Sequence, residues 1–190
     1  GSYCLFGSKK HLMNELFEKK NLPFYKFGDA IYLAKIETKY WIEYICKRFE
    51  NTGKHISPEL AEEICRLVDN HSSYVQQLSW LLWIRTINTA TTEQLSYALE
   101  DLLDQNNILF QSETENLSAY QMNFLKAIVD GIHTKFSSKE VISKYNLGTS
   151  ANIVRLKNAL LQKELIETNG KEIVLADPVF GVWFKKEMLY

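Results

Sequence analysis

Apolar side chains along most of this chain recur at every third or fourth position, which is the period of a helix with one buried face. Thr38 begins such a stretch and predicts a helix from about Lys39 to Glu50, capped by Thr38 and ended near Gly53. Ser57-Pro58 supplies a cap and a first-turn proline for a second helix, reaching about Val68. A third is predicted from about Ser73 to Thr86. Its Val75, Leu78, Trp80, Leu81, Leu82, Trp83 and Ile84 leave it apolar nearly all round, so it must be central or meet a partner. Thr91 with Gln94 forms a capping box for a fourth helix, to about Gln105. These four make a small helical bundle over residues 38–105.

Asn106 to Asn116 is polar apart from Ile108, Leu109 and Phe110, and reads as a linker. Beyond it, Ser118 and Gln121 form another capping box, with Leu117 and Met122 as its hydrophobic staple, and the pattern recurs at Phe136-Ser137 with Glu140 and Val141. Ser137 to Leu147 and Thr149 to Leu161 then predict two short helices around a tight turn. Leu165 to Leu175 predicts a β-hairpin with Asn169-Gly170 at its tip, in a turn needing positive φ at both central residues. That order is the winged helix-turn-helix order, over residues 117–190. Asp177-Pro178 follows, and then a dense apolar tail of Val179, Phe180, Val182, Trp183 and Phe184, which either closes the core of this domain or faces another one.

The start of the chain is different. Tyr3 to Phe6 and Ala30 to Ala34 read as two lone strands flanking a helix from Lys9 to Lys19, with Leu12, Met13, Leu16 and Phe17 on one face. Two isolated strands are a poor sheet, so residues 1–37 look like the edge of something larger. The fold class is therefore mainly α: a helical bundle followed by a winged-helix domain with a short hairpin wing.

Charge bears on whether that winged helix reads DNA. The net charge of the 190 residues is −1. Residues 1–116 hold 12 basic and 16 acidic side chains, and residues 117–190 hold 10 and 7, a weak positive bias. On the helix from Thr149, Ile153, Leu156, Leu160 and Leu161 share one side, and Asn152, Arg155, Asn158 and Gln162 the other. Arg155 can pair with a guanine edge and Asn152 or Asn158 with adenine, while Lys171 stands at the wing. Strong binding requires several cations against phosphate, and this face carries one. Lys139 and Lys144 add to it, and Glu140, Glu164, Glu167 and Glu172 subtract. A protein-docking winged helix is the first reading, and a DNA-binding regulator the alternative.

No catalytic grouping is legible. GxxxxGK[ST], GxGxxG and HExxH do not occur, and His11, His55, His71 and His133 are widely spaced. Cys4, Cys46 and Cys65 form no CxxC, so neither a zinc site nor a disulfide framework is expected, and reduced thiols fit a cytoplasmic protein. No run approaches the ~20 apolar residues that a membrane span needs.

Four stretches carry a resemblance: Phe6-Gly7-Ser8-Lys9-Lys10-His11-Leu12-Met13, Pro23-Phe24-Tyr25-Lys26-Phe27-Gly28, His71-Ser72-Ser73-Tyr74-Val75-Gln76-Gln77-Leu78, and Asp177-Pro178-Val179-Phe180-Gly181-Val182-Trp183. In this order, with a bundle and a winged helix, the chain resembles the C-terminal part of P-loop ATPases of the AAA+/STAND group, relatives of the origin-recognition ATPases. The resemblance implies that residues 38–105 are the ATPase lid and that Ser8 lies near the sensor-1 position. It also implies that His71, Ser72 and Ser73 form the turn close to the nucleotide, where relatives often carry Gly-x-Pro; here that turn has neither residue, and no arginine. ATP and Mg would belong to the full-length protein, with the Walker segments upstream in the missing ATPase core, which would be this region's partner. The chain alone should hold no cofactor or metal and not hydrolyse ATP. The apolar surfaces near Trp80, Trp83 and Trp183 are the expected docking surfaces.

Overall fold

A computed structural model describes residues 4–7, 13, 16–25, 27–29, 31 and 33–188. Two compact units divide the chain after Ala34.

In the first unit, Leu16–Glu18 are helical, as is Met13, which agrees with that part of the expected helix. Residues 9–12, 14 and 15 lie outside the described ones, and Lys19, the expected last residue of the helix, is not helical. Phe24 sits between Phe17 and Phe27, with ring centroids 6.0 Å from each. Neither expected strand forms among the described residues: Cys4–Gly7, Ile31, Leu33 and Ala34 have no regular structure, and Phe6 and Leu33 are each 92% exposed. A short apolar run without a neighbour to complete its hydrogen bonds has no reason to become a strand.

The second unit begins with α1 (Thr38–Glu50), α2 (Pro58–Leu67) and α3 (Ser72–Arg85). Ser57 caps α2 by accepting from the Leu60 amide at 3.2 Å. Contrary to the expectation, Thr38 does not cap α1 but is its first residue. Glu37 takes the cap place with no side-chain bond, and Thr38 is instead paired with Asn70. The loops before α2 and α4 are joined at His55, whose amide donates to the Asn88 carbonyl at 2.7 Å and whose carbonyl accepts from the Ala90 amide at 2.8 Å.

α4 (Thr92–Glu115) opens with the expected capping box of Thr91 and Gln94, but it does not stop at Gln105. The stretch read as a linker is its second half. Its polar residues form the solvent side, while Phe110 and Thr114, four positions apart, are buried. The same helix therefore packs on α3 through Leu95, Ala98, Leu102 and Leu103, and carries the next domain on its second half.

That domain is a winged helix: α5 (Ala119–Val129), α6 (Lys139–Lys144), α7 (Ser150–Gln162), β1 (Ile166–Asn169), β2 (Glu172–Leu175) and α8 (Pro178–Met188). The Ser118/Gln121 capping box is present. The next cap moves by one residue, to Ser138, which accepts from the Val141 amide. The hairpin is antiparallel, with Ile166 opposite Leu175 and Asn169 opposite Glu172. Its two-residue turn is thus Gly170-Lys171 rather than Asn169-Gly170. Positive φ falls on Gly170 alone of these residues, at 61°, which is the arrangement of a type II′ turn with glycine in its first central place. His133 extends the wing: its carbonyl accepts from the Ile173 amide at 2.9 Å, and its Nδ1 lies 3.1 Å from the Ile173 carbonyl, so Nδ1 carries the proton.

The apolar tail is α8, and it closes the core. Asp177 Oδ1 accepts from the Val179 and Phe180 amides at 2.8 and 3.0 Å and starts the helix. Phe180 and Trp183 pack on Phe110 of α4 with ring centroids 5.4 and 5.6 Å away. The Trp183 indole donates to Asn107 Oδ1 at 2.8 Å. No helix among the described residues is long and apolar enough to cross a membrane.

Candidate functional site

Two places bear on function: the turn before α3, and the outer face of α7. Asp69 and Asn70 both take the left-handed backbone, with φ of 48° and 52°, a conformation that short polar side chains tolerate best. Two side chains from the beginning of this unit hold the turn. Lys35 Nζ reaches Asp69 Oδ2 at 2.6 Å and the Asp69 carbonyl at 2.9 Å. Asn70 Nδ2 donates to Thr38 Oγ1 at 3.0 Å. These two buttresses are non-local, and nothing in the sequence around residue 70 announces them.

His71 then occupies the cap position of α3 and makes no side-chain cap bond. Its Nδ1 is buried and has no hydrogen-bond partner among the described residues. Its ring lies 4.7 Å from that of Tyr74. Ser72 and Ser73 are exposed and neither caps the helix. Ser73 Oγ accepts from Gln77 at 2.8 Å, and the Ser72 carbonyl from Gln76 at 3.0 Å. The helix start is uncapped, so its first amides have no side-chain partner, and the unpaired imidazole nitrogen beside it is buried. Ser8, which the resemblance would set near the same nucleotide, lies outside the described residues. Among the described residues no group of three or more His, Cys, Asp or Glu side chains is arranged to hold a metal ion.

One turn further on, Tyr74 Oη donates to Asp177 Oδ2 at 2.5 Å. Burial, and then this bond, push the Tyr74 phenol above its ordinary range, so it remains a protonated donor at neutral pH. Glu113, on α4, is also held above the usual carboxylate range, first by burial and then by the Asp177 charge. Tyr74 and Asp177 lie in two of the stretches that carry the resemblance, but their meeting with each other and with Glu113 was not legible, because the three come from separate segments.

On the outer face of α7, Arg155 and Asn158 are exposed, as is Lys171 on the wing. Asn152 is not part of that exposed group. Its amide donates to the Leu147 carbonyl at 3.0 Å and closes the turn at Gly148, where φ is 83°. Val154 is 62% exposed on the same face, an apolar residue where a phosphate-facing helix would gain from a cation.

The three tryptophans expected at docking surfaces fare differently. Trp80 is 57% exposed, next to Ile84 at 51%. Trp83 is half-buried against the bundle core: its indole donates to Thr52 Oγ1 at 2.9 Å and Lys54 Nζ lies 4.0 Å from its ring centre. Trp183, at 1% exposure, offers no surface at all, because α8 lies against α4. Its expected role as a docking surface is corrected accordingly.

Residues 108–186 match the family model described as "Probable winged helix domain". Among curated proteins no match was found. The chain is similar to a solved structure, the Walker-type ATPase PABY2304 of Pyrococcus abyssi, with a TM-score of 0.64 and 18% sequence identity over 92% of this chain and 50% of that one. The chain thus spans half the length of that ATPase, and the likeness is one of fold. It carries a winged-helix domain on a helical bundle, in an arrangement that a Walker-type ATPase shares.

Proposed function

We propose that this chain is the lid and winged-helix region of a P-loop ATP-binding protein of the AAA+/STAND kind. It is a regulatory part that follows the ATPase core and does not itself hydrolyse ATP. The observation that carries the reading is the shared fold with half of a Walker-type ATPase, over nearly the whole chain. The bundle in residues 38–105 is the lid, and the turn at His71, Ser72 and Ser73 is its nucleotide-side edge. The residues there fit an accessory contact only. They offer helix-start amides and two exposed hydroxyls, and no P-loop lysine is in the sequence. ATP with Mg belongs to the P-loop of the full-length protein, which supplies the phosphate chemistry.

The test has two arms. The 190-residue chain is expected to turn over no ATP above a buffer blank. The full reading frame is expected to contain GxxxxGK[ST] after a strand and to hydrolyse ATP until that lysine is replaced. A reading frame without a P-loop, or turnover by the 190 residues alone, overturns the proposal.

A DNA-binding regulator is the second reading, favoured by the exposure of Arg155, Asn158 and Lys171 on one domain. It requires a salt-dependent shift with duplex DNA that Arg155→Ala weakens. Absence of binding at low salt removes it. The third reading, a protein-interaction module without nucleotide, uses the Trp80 and Ile84 face and survives only if the reading frame lacks the P-loop.

A further inference from the structure

The bond between Tyr74 and Asp177 joins residues 103 positions apart, and it does so through a carboxylate that already has a task. Asp177 Oδ1 starts α8 by taking the Val179 and Phe180 amides. Oδ2 is left for Tyr74 of α3. Each element around this carboxylate contributes one group: Tyr74 from α3, Glu113 from α4, and the first amides of α8. Lys163, just after α7, lines a small groove with Glu113, and the His71 ring lies 4.7 Å from that of Tyr74.

α8 is attached to α4 through Phe110 and Asn107, and α4 also runs on towards α5. Attachments to one helix leave freedom to twist about that helix. A third attachment, on α3, removes the twist. α3 in turn begins at the turn that Lys35 and Thr38 hold. We propose that the Tyr74–Asp177 contact is a clasp that carries the position of the Asp69–His71 turn to α8 and so sets the pose of the winged helix on the bundle. It rests on the lid reading only in naming that turn as the nucleotide side; the clasp itself is tested without nucleotide, so the two fail separately.

The experiment is amide hydrogen exchange on the 190-residue chain with Tyr74→Phe, Asp177→Asn and the double variant. Asp177→Asn keeps an oxygen for the α8 amides and replaces the charged acceptor opposite Tyr74 with an NH2 that can only donate, so the charge-assisted bond is lost. Each single change is expected to speed exchange about tenfold in residues 178–184 and in the first turn of α3, as fits the loss of a bond to a charged acceptor. The amides of α2 should not change, and the double variant should add nothing to either single one. Unchanged exchange in α8, a rise that includes α2, or effects that multiply in the double variant each overturn the clasp. Should Tyr74→Phe not fold, Asp177→Ser serves in its place, since serine caps α8 but cannot reach Tyr74.

Discussion

α3 and α8 each carry large aromatics close together, and they end in opposite situations. On α8, Phe180, Trp183 and Phe184 are all 1% exposed. On α3, Trp80 and Ile84 remain more than half exposed. The difference lies in the partner. The second half of α4 offers α8 a fitted face, with Phe110 against its rings and Asn107 opposite the indole nitrogen. α3 uses Tyr74, Val75, Leu78, Leu81 and Leu82 against its neighbours and has apolar residues to spare. Local apolar density therefore does not distinguish a core from a docking face. What distinguishes them is whether the chain itself supplies the complement.

The contrast can be broken most severely at Trp183. Trp183→Ala should cost about 3–5 kcal/mol in chemical denaturation, the usual toll for emptying a large aromatic site. A loss under ~1 kcal/mol would show that α8 is not seated as described. Asn107→Ala leaves the buried indole N–H without its acceptor and should cost about 1–3 kcal/mol, measured by the same denaturation. A third change sharpens the electrostatics of this seam. Glu113 has a folded-state pKa above its unfolded value of about 4.3, because of burial and the Asp177 charge. Its favourable contribution is complete below the unfolded value and is lost as pH rises through the folded one. Glu113→Gln should therefore be more stable than the parent at pH 7 and equal to it near pH 4, in thermal melts across that range. The smallest effect belongs to the other helix: Trp80→Ala should shift stability by no more than about 0.5 kcal/mol. A larger loss would mean that Trp80 is buried in solution.

Much of the fold follows from local chemistry and was legible as such. Ser57-Pro58, Thr91 with Gln94, and Ser118 with Gln121 each start a helix within four residues, and all three caps are where the pattern predicts them. The second half of α4 was missed for a physical reason. Polarity pointed to a linker, while the spacing of Leu103, Asn107, Phe110 and Thr114 was helical throughout. The wing was placed correctly, but its turn shifted by one residue, since Asn and Gly each accept positive φ and only the strand register decides between them. The sites were less legible. Exposure of Arg155 and Asn158 follows from helical period, but the commitment of Asn152 to Leu147 depends on the turn geometry. The supports of the His71 turn and the Tyr74–Asp177 bond depend on contacts across the fold, for which a linear pattern holds no record.

The unbroken course of α4 has a consequence for how this protein can change. Between two domains joined by a loose tether, a residue gained or lost is absorbed. Within a helix it rotates everything downstream by about 100° and moves it by about 1.5 Å. One residue inserted between Gln105 and Asn106 would turn Asn107 and Phe110 away from the bundle's frame and carry the winged helix round with them. Sequence drift can alter the identity of residues in this stretch, but a change in its length would re-aim α7.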